Sequence, residues 1–210
     1  MNKKIMIVGR SGCGKDTLAY CLTKNHGLKQ LISTTTRPPR YTGETAHVFV
    51  SEEEANQMTE RVAETVINGY QYFATKQQLD ECDIYVIDPK GLRDVCERAP
   101  DVELCVVYVS ASTKVRCKRA IDRAEDKTEA AKVFDKRHED ESPMFTEFEA
   151  LIADNNLADF HDKYQTVSTV IVLDNETTSI GVMDKKANEV MMYVNQMTLG
   201  DMFGPYRHQI

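Results

Sequence analysis

Nine residues constrain this chain more than any others: Gly9-Arg10-Ser11-Gly12-Cys13-Gly14-Lys15-Asp16-Thr17. Just before them, residues 5–8 are a short apolar run with β-branched members ending at a glycine, the pattern of a buried strand. Just after them, a helix is expected from Gly14 and Lys15, with Leu18, Ala19 and Leu22 facing inward and Gly27 as its C-cap. A strand, a turn of the form G-x-x-x-x-G-K and a helix together make a phosphate cradle. Gly9, Gly12 and Gly14 let backbone N–H groups turn toward an anion, and the helix N-terminus adds partial positive charge. Lys15 supplies a mobile cation for the β- and γ-phosphates. Ser11, Cys13, Asp16 and Thr17 complete the set expected to bind ATP. Asp16 stands where a hydroxyl that contacts Mg²⁺ is usual, so it is the candidate ligand for that ion, directly or through water.

The remaining pattern is one of buried apolar strands alternating with helices. Strands are expected over 29–36, 84–87, 104–109 and 167–173, and helices over 75–81, 112–149 and 180–197. This predicts an α/β fold with a mostly parallel sheet flanked by helices. Between residues 41 and 73 the pattern changes to short strands (48–50, 62–67 and 70–73) around an acidic helix over 52–58, which reads as an inserted, mostly β lobe. Pro38-Pro39 interrupts regular structure at its entrance. The tail over 200–210 carries no clear signal and is expected to be mobile.

Composition narrows the function further. The 210 residues hold 26 Lys plus Arg against 33 Asp plus Glu, a net charge of -7, which argues against a nucleic-acid polymer as partner. The apolar run near the N-terminus is too short for a signal peptide, and no stretch approaches the roughly 18 apolar residues of a membrane span. A cytoplasmic protein without a membrane partner is the expectation. The six cysteines form no C-x-x-C pair and read as reduced, small core residues. There is no N-K-x-D motif for guanine recognition by a GTPase.

A second motif specifies the chemistry. Ser33-Thr34-Thr35-Thr36-Arg37-Pro38-Pro39-Arg40 sets hydroxyls and two guanidinium forks around rigid prolines, an arrangement suited to gripping a phosphate. Together with Gly43-Glu44 and the run Phe49-Val50-Ser51-Glu52-Glu53, this segment resembles the guanylate kinase family, and the resemblance extends over about residues 4 to 175. It implies a P-loop fold with a core over 1–36, 76–115 and 150–200, a nucleotide-binding lobe over 37–75 and a helical lid over 116–149. It implies transfer of a phosphoryl group from ATP, with Mg²⁺, to GMP or dGMP. Ser33, Arg37 and Arg40 match the residues that hold the acceptor phosphate. Glu64, Thr75 and Asp88 match those that read the guanine ring, and Arg119, Arg123 and Arg137 look like the lid arginines that close over the transferring group.

Three positions depart from that family. His47 and Phe73 stand where tyrosines are usual around the acceptor, and Val86 where an acidic residue is frequent. The Gly-Lys-Asp-Thr form of the loop and a histidine near Glu44 also resemble ribose 1,5-bisphosphate phosphokinases. Another (deoxy)nucleotide is a further alternative acceptor, and a non-catalytic binding module of the same fold a third reading. A homodimer is compatible with the sequence.

Overall fold

The computed structural model describes residues 3–67, 69–153, 157–176, 179–196 and 206–210. Its main sheet has five parallel strands in the order β6-β1-β7-β8-β9. These are β1 Lys3–Val8, β6 Ile84–Val86, β7 Glu103–Ser110, β8 Val167–Asp174 and β9 Tyr206–Gln209. Strands with both faces covered need apolar residues at every position, which is why they read as continuous runs. Ile5 and Ile7 pack to one side with Val107, Val109, Ile171 and Leu173. Met6 and Val8 pack to the other with Val106, Tyr108, Val170 and Val172.

The first side is closed by α1 (Lys15–His26), through Leu18 and Leu22, and by α8 (Ile180–Gln196), through Met183, Val190 and Val194. On the second side lie α4 (Pro89–Arg98), the distal half of α6 (Lys127–Ala153) and α7 (Leu157–Lys163). There Phe148 meets Phe160 and Tyr164 edge-on, at centroid separations of 5.9 and 5.5 Å. Among the described residues no helix is long and apolar enough to cross a membrane.

A second sheet of four strands, in the order β3-β2-β5-β4, forms the lobe. Its members are β2 Thr34–Thr35, β3 Val48–Phe49, β4 Arg61–Ile67 and β5 Tyr70–Thr75. Two short helices adjoin it, α2 (Glu52–Gln57) and α3 (Lys76–Glu81), each opened by a reciprocal capping box, Ser51 with Glu54 and Thr75 with Gln78.

Three expectations are corrected here. The strand expected over 29–36 divides between the two sheets: Gln30 bridges to Ile84 of the main sheet, whereas Thr34–Thr35 pairs within the lobe. The single helix expected over 112–149 is two, α5 (Thr113–Asp122) and α6. The break is local chemistry: the Asp126 carboxylate accepts from the backbone N–H groups of Thr128 and Glu129 and starts a new helix. The tail expected to be mobile contributes β9, which pairs with β8 through Thr169–Tyr206 to Val172–Gln209, and Ile210 N–H donates to Val172 O at 2.9 Å. Residues 200–205 of that tail and Met197, the expected end of the last helix, lie outside the described residues.

Candidate active site

The loop over residues 9–14 links β1 to α1. Gly14 adopts φ +105°, and a Cβ there would stand 2.4 Å from Asn175 Nδ2, so glycine is required on both conformational and steric grounds. No side chain caps α1, which leaves the first-turn N–H groups of Lys15, Asp16 and Thr17 without an intrahelical partner. The loop's carbonyls, in contrast, are engaged. Arg116 donates to Ser11 O, Arg119 donates to Gly12 O and Cys13 O, and Asn175 Nδ2 donates to Cys13 O at 2.7 Å. With these carbonyls engaged, the uncapped first-turn N–H groups of α1 are the ones left for an anion.

Forward of the loop is a cleft of about 940 Å³, lined by Gly12, Lys15, Asp16 and Thr17, by Arg119 of α5 and Arg123 at its C-cap, by Val133, Phe134 and Arg137 of α6, and by Asn175, Ser179 and Met183. Its size suits a nucleotide. Lys15 Nζ donates to Arg10 O at 3.2 Å, so the cation lies over the loop itself. Asn175 is 2 % exposed, and its Oδ1 has no hydrogen-bond partner. A buried acceptor in this position fits a ligand N–H.

All three lid arginines expected from the sequence line the cleft, and Arg119 is in addition tied to the loop. Its guanidinium also donates to Asn175 O, so it holds the loop from the carbonyl side. Arg116 was not singled out in the sequence, yet it is 2 % exposed and bonded to Ser11 O and Ala111 O. Cys13 is fully buried, and burial raises its thiol pKa, which keeps it protonated.

The loop is also tied to α6. Arg10 donates to both carboxylate oxygens of Glu149, at 2.7 and 2.8 Å, and lies over the Phe145 ring. Tyr108 of β7 donates to the same carboxylate. Burial alone would raise the Glu149 carboxyl, but the Arg10 and Tyr108 hydrogen bonds hold it below the usual carboxylate range. About two turns earlier on α6, Glu141 accepts from Ser11 N–H at 2.9 Å and from the Ser11 hydroxyl.

A second cluster forms on the lobe. His47 Nδ1 is 2.9 Å from the Ser33 hydroxyl, and its ring meets Tyr72 and Phe49 edge-on at 5.4 and 6.2 Å. Arg37 lies over Phe49 and pairs with Glu44, whose second oxygen also accepts from Arg40 N–H at 2.7 Å. Arg37 Nε is buried with no partner, a donor suited to a phosphate oxygen, while Arg40 is exposed. Burial, with the nearby Arg37 charge, lowers the His47 pKa, so the ring is neutral at pH 7.

The register of the lobe sheet separates residues that the sequence placed together. Glu64 pairs with Phe73 and Thr34 with Phe73, which sets these three on one face. Thr65 and Thr35 pair with Tyr72, which sets those on the other, beside His47 and Ser33. The Phe73 face is closed by α2. Arg61 lies 4.0 Å from the Phe73 ring centroid and donates to Ala55 O. Glu64 pairs there with Arg61 and Arg98. Thr75 caps α3, and Asp88 caps α4, its Oδ1 accepting from Gly91 N–H at 2.7 Å. Ser33, Arg37 and His47 are thus brought together, whereas Glu64, Phe73 and Thr75 are not joined to them. Tyr72, which the sequence reading passed over, supplies the phenol beside His47. The strand period of two was the signal that could have found it, because Phe73 and Tyr72 must face opposite ways.

Comparison with known proteins agrees with this architecture. A family model described as guanylate kinase matches residues 1–172. A solved structure of guanylate kinase from Anaplasma phagocytophilum superimposes with a TM-score of 0.55 at 18 % identity, over 95 % of this chain and 88 % of that one. A search of curated proteins gave no match.

Proposed function

The chain belongs to the guanylate kinase family and is a nucleoside monophosphate kinase; from that premise we propose that it transfers the γ-phosphoryl group of ATP to the phosphate of GMP or dGMP. The observation that carries this reading is the loop over residues 9–14, whose carbonyls are held from behind by Arg116, Arg119 and Asn175 beside a nucleotide-sized cleft.

In this reading the N–H groups of Gly14 through Thr17 and the Lys15 ammonium hold the donor phosphates. The unpartnered Asn175 Oδ1 accepts the exocyclic amine of adenine. Asp16, exposed in the first turn of α1, would hold Mg²⁺, which neutralises phosphate charge when bound. Ser33, Arg37, Arg40, His47 and Tyr72 hold the acceptor phosphate, so that the two anions meet without mutual repulsion dominating. Arg123 and Arg137 face the charge that spreads over the transferring oxygens. No covalent intermediate is needed; positioning and charge stabilisation suffice.

A second reading, an acceptor such as ribose 1,5-bisphosphate, is favoured by one observation: Glu64 and Thr75 are engaged away from the phosphate cluster. The test is ADP release with ATP, Mg²⁺ and a panel of GMP, dGMP and ribose 1,5-bisphosphate. Turnover of GMP and dGMP, abolished in Lys15→Ala, supports the proposal; turnover of the sugar bisphosphate alone overturns it.

A further inference from the structure

We infer that Arg116 is a positioning residue for the donor nucleotide: it fixes the peptide between Ser11 and Gly12 and so aims the Gly12 N–H at phosphate. This deepens the kinase reading above and rests on it. The guanidinium spreads over three oxygens. Nη1 donates to Ser11 O at 3.2 Å, Nε to Ala111 O at 3.2 Å and Nη2 to Thr113 Oγ1 at 3.1 Å. The bonds to Ala111 and Thr113 tie the fork to the start of its own helix, so the third nitrogen has a fixed place from which to hold the loop. Two rings of α6 cover the fork: Phe134, with its centroid 5.5 Å away, and His138, whose Nδ1 is 3.4 Å from Nη2.

The effect on the loop follows from peptide geometry. The Ser11–Gly12 unit is planar and trans, so its C=O and N–H point to opposite sides. With Ser11 O held by Arg116, the Gly12 N–H is directed away from the guanidinium, and Gly12 lines the cleft. A cation on the C=O also polarises the peptide and strengthens its N–H as a donor. The backbone of Arg116 adds a second constraint. Gly12 has φ +81°, and a Cβ there would stand 3.0 Å from Arg116 O and 3.2 Å from Arg116 Cβ, so the loop rests directly on α5. From the other side, Glu141 of α6 accepts from the Ser11 N–H and hydroxyl. Ser11 is thus held between two charged side chains of opposite sign.

Arg116 is 2 % exposed. Burial and then the Arg10 charge hold its pKa below the ordinary 12.5, while the Glu141 carboxylate opposes them. A cation so placed is costly unless its donors are used. A lysine ammonium concentrates its donors at one point and cannot reproduce a fork that serves three separate oxygens.

The test compares wild type, Arg116→Met and Arg116→Lys as full chains. ATP affinity is measured by calorimetric titration, folding by thermal melting, and steady-state kinetics with ATP, Mg²⁺ and GMP. Loss of one aimed donor to a charged phosphate should weaken ATP binding about tenfold or more in Arg116→Met. Arg116→Lys, the milder change for folding, should weaken it at least about threefold. In both, KM for ATP should rise while KM for GMP stays within about twofold of wild type. Destabilisation alone lowers the active fraction and leaves both KM values unchanged; that pattern overturns the inference. So does a loss of ATP affinity below about threefold in either folded variant, or a rise in both KM values together. A wild type that binds ATP but turns over no acceptor overturns the kinase reading, and the ATP titrations still decide the role of Arg116. A wild type that binds no ATP overturns both.

Discussion

Glu149→Gln is the most informative single change, because it tests how the phosphate loop is fixed to the rest of the molecule. The native carboxylate takes two charge-assisted bonds from Arg10, at 2.7 and 2.8 Å, and a third from the Tyr108 hydroxyl. The Arg10 side chain is 11 % exposed and that of Glu149 34 %. A glutamine of the same shape keeps one acceptor oxygen but turns an amide donor toward the guanidinium or the phenol. Each lost bond to a charged group costs about 1.5–3 kcal/mol when buried. Because Glu149 is one-third exposed, water recovers part of that, and the net loss should be about 2–3 kcal/mol. For a chain of this size the melting temperature would fall by about 4–12 °C. The effect should also depend on pH. The carboxyl sits lower in the folded chain than its ordinary value of 4.5, so its contribution is full at neutral pH and is lost as the pH falls below that value. Urea unfolding of wild type and variant at neutral pH and again near pH 4 measures both. The gap should narrow in acid. A double-mutant cycle with Arg10→Ala should give a coupling of at least about 1 kcal/mol. A variant within about 0.5 kcal/mol of wild type at pH 7, or a gap that does not narrow, refutes the reasoning.

Four further variants test the same geometry. Lys15→Ala should lower kcat by about a hundredfold or more with an unchanged melting temperature, since Nζ makes one long bond, to Arg10 O, and otherwise awaits phosphate; ADP release and thermal melting check this together. Gly14→Ala should lose about 1–3 kcal/mol of stability and bind ATP poorly, because the residue is left-handed and its Cβ meets Asn175. Gly27→Ala, also left-handed but with nothing within 4 Å, should cost about 1–2 kcal/mol and leave ATP titration unchanged. His47 titrates below its ordinary value of 6.5 in the folded chain, so the unfolded chain binds the proton more readily and stability declines as pH drops through 6.5. His47→Gln should flatten that decline between about pH 5 and 7, measured by urea unfolding across the range.

Local chemistry made much of this protein legible in the sequence alone. The phosphate loop is one contiguous segment whose glycines, lysine and flanking strand and helix act within about a dozen residues, so its identity follows from order in the chain. The buried strands are equally visible, because a parallel sheet covered on both faces demands an uninterrupted apolar run. Asp126 ahead of Glu129 was a legible helix start that the charged surroundings obscured.

The tertiary structure decided what depends on pairing between distant segments. Tyr206–Gln209 is a strand because β8 leaves an unpaired edge beside it, and its polar residues give no apolar run to announce that. Glu149 becomes a partner of Arg10 only when α6 crosses the loop, across a separation of 139 residues. Above all, the face on which Glu64, Phe73 and Thr75 lie was fixed by register. In a strand a shift of one position carries a side chain to the opposite face, so Tyr72 stands beside His47 and Ser33 whereas Glu64 pairs with Arg98 on the other face. Residue type and spacing made the phosphate loop legible; the pairing of strands determined which side chains gather on each face of the lobe.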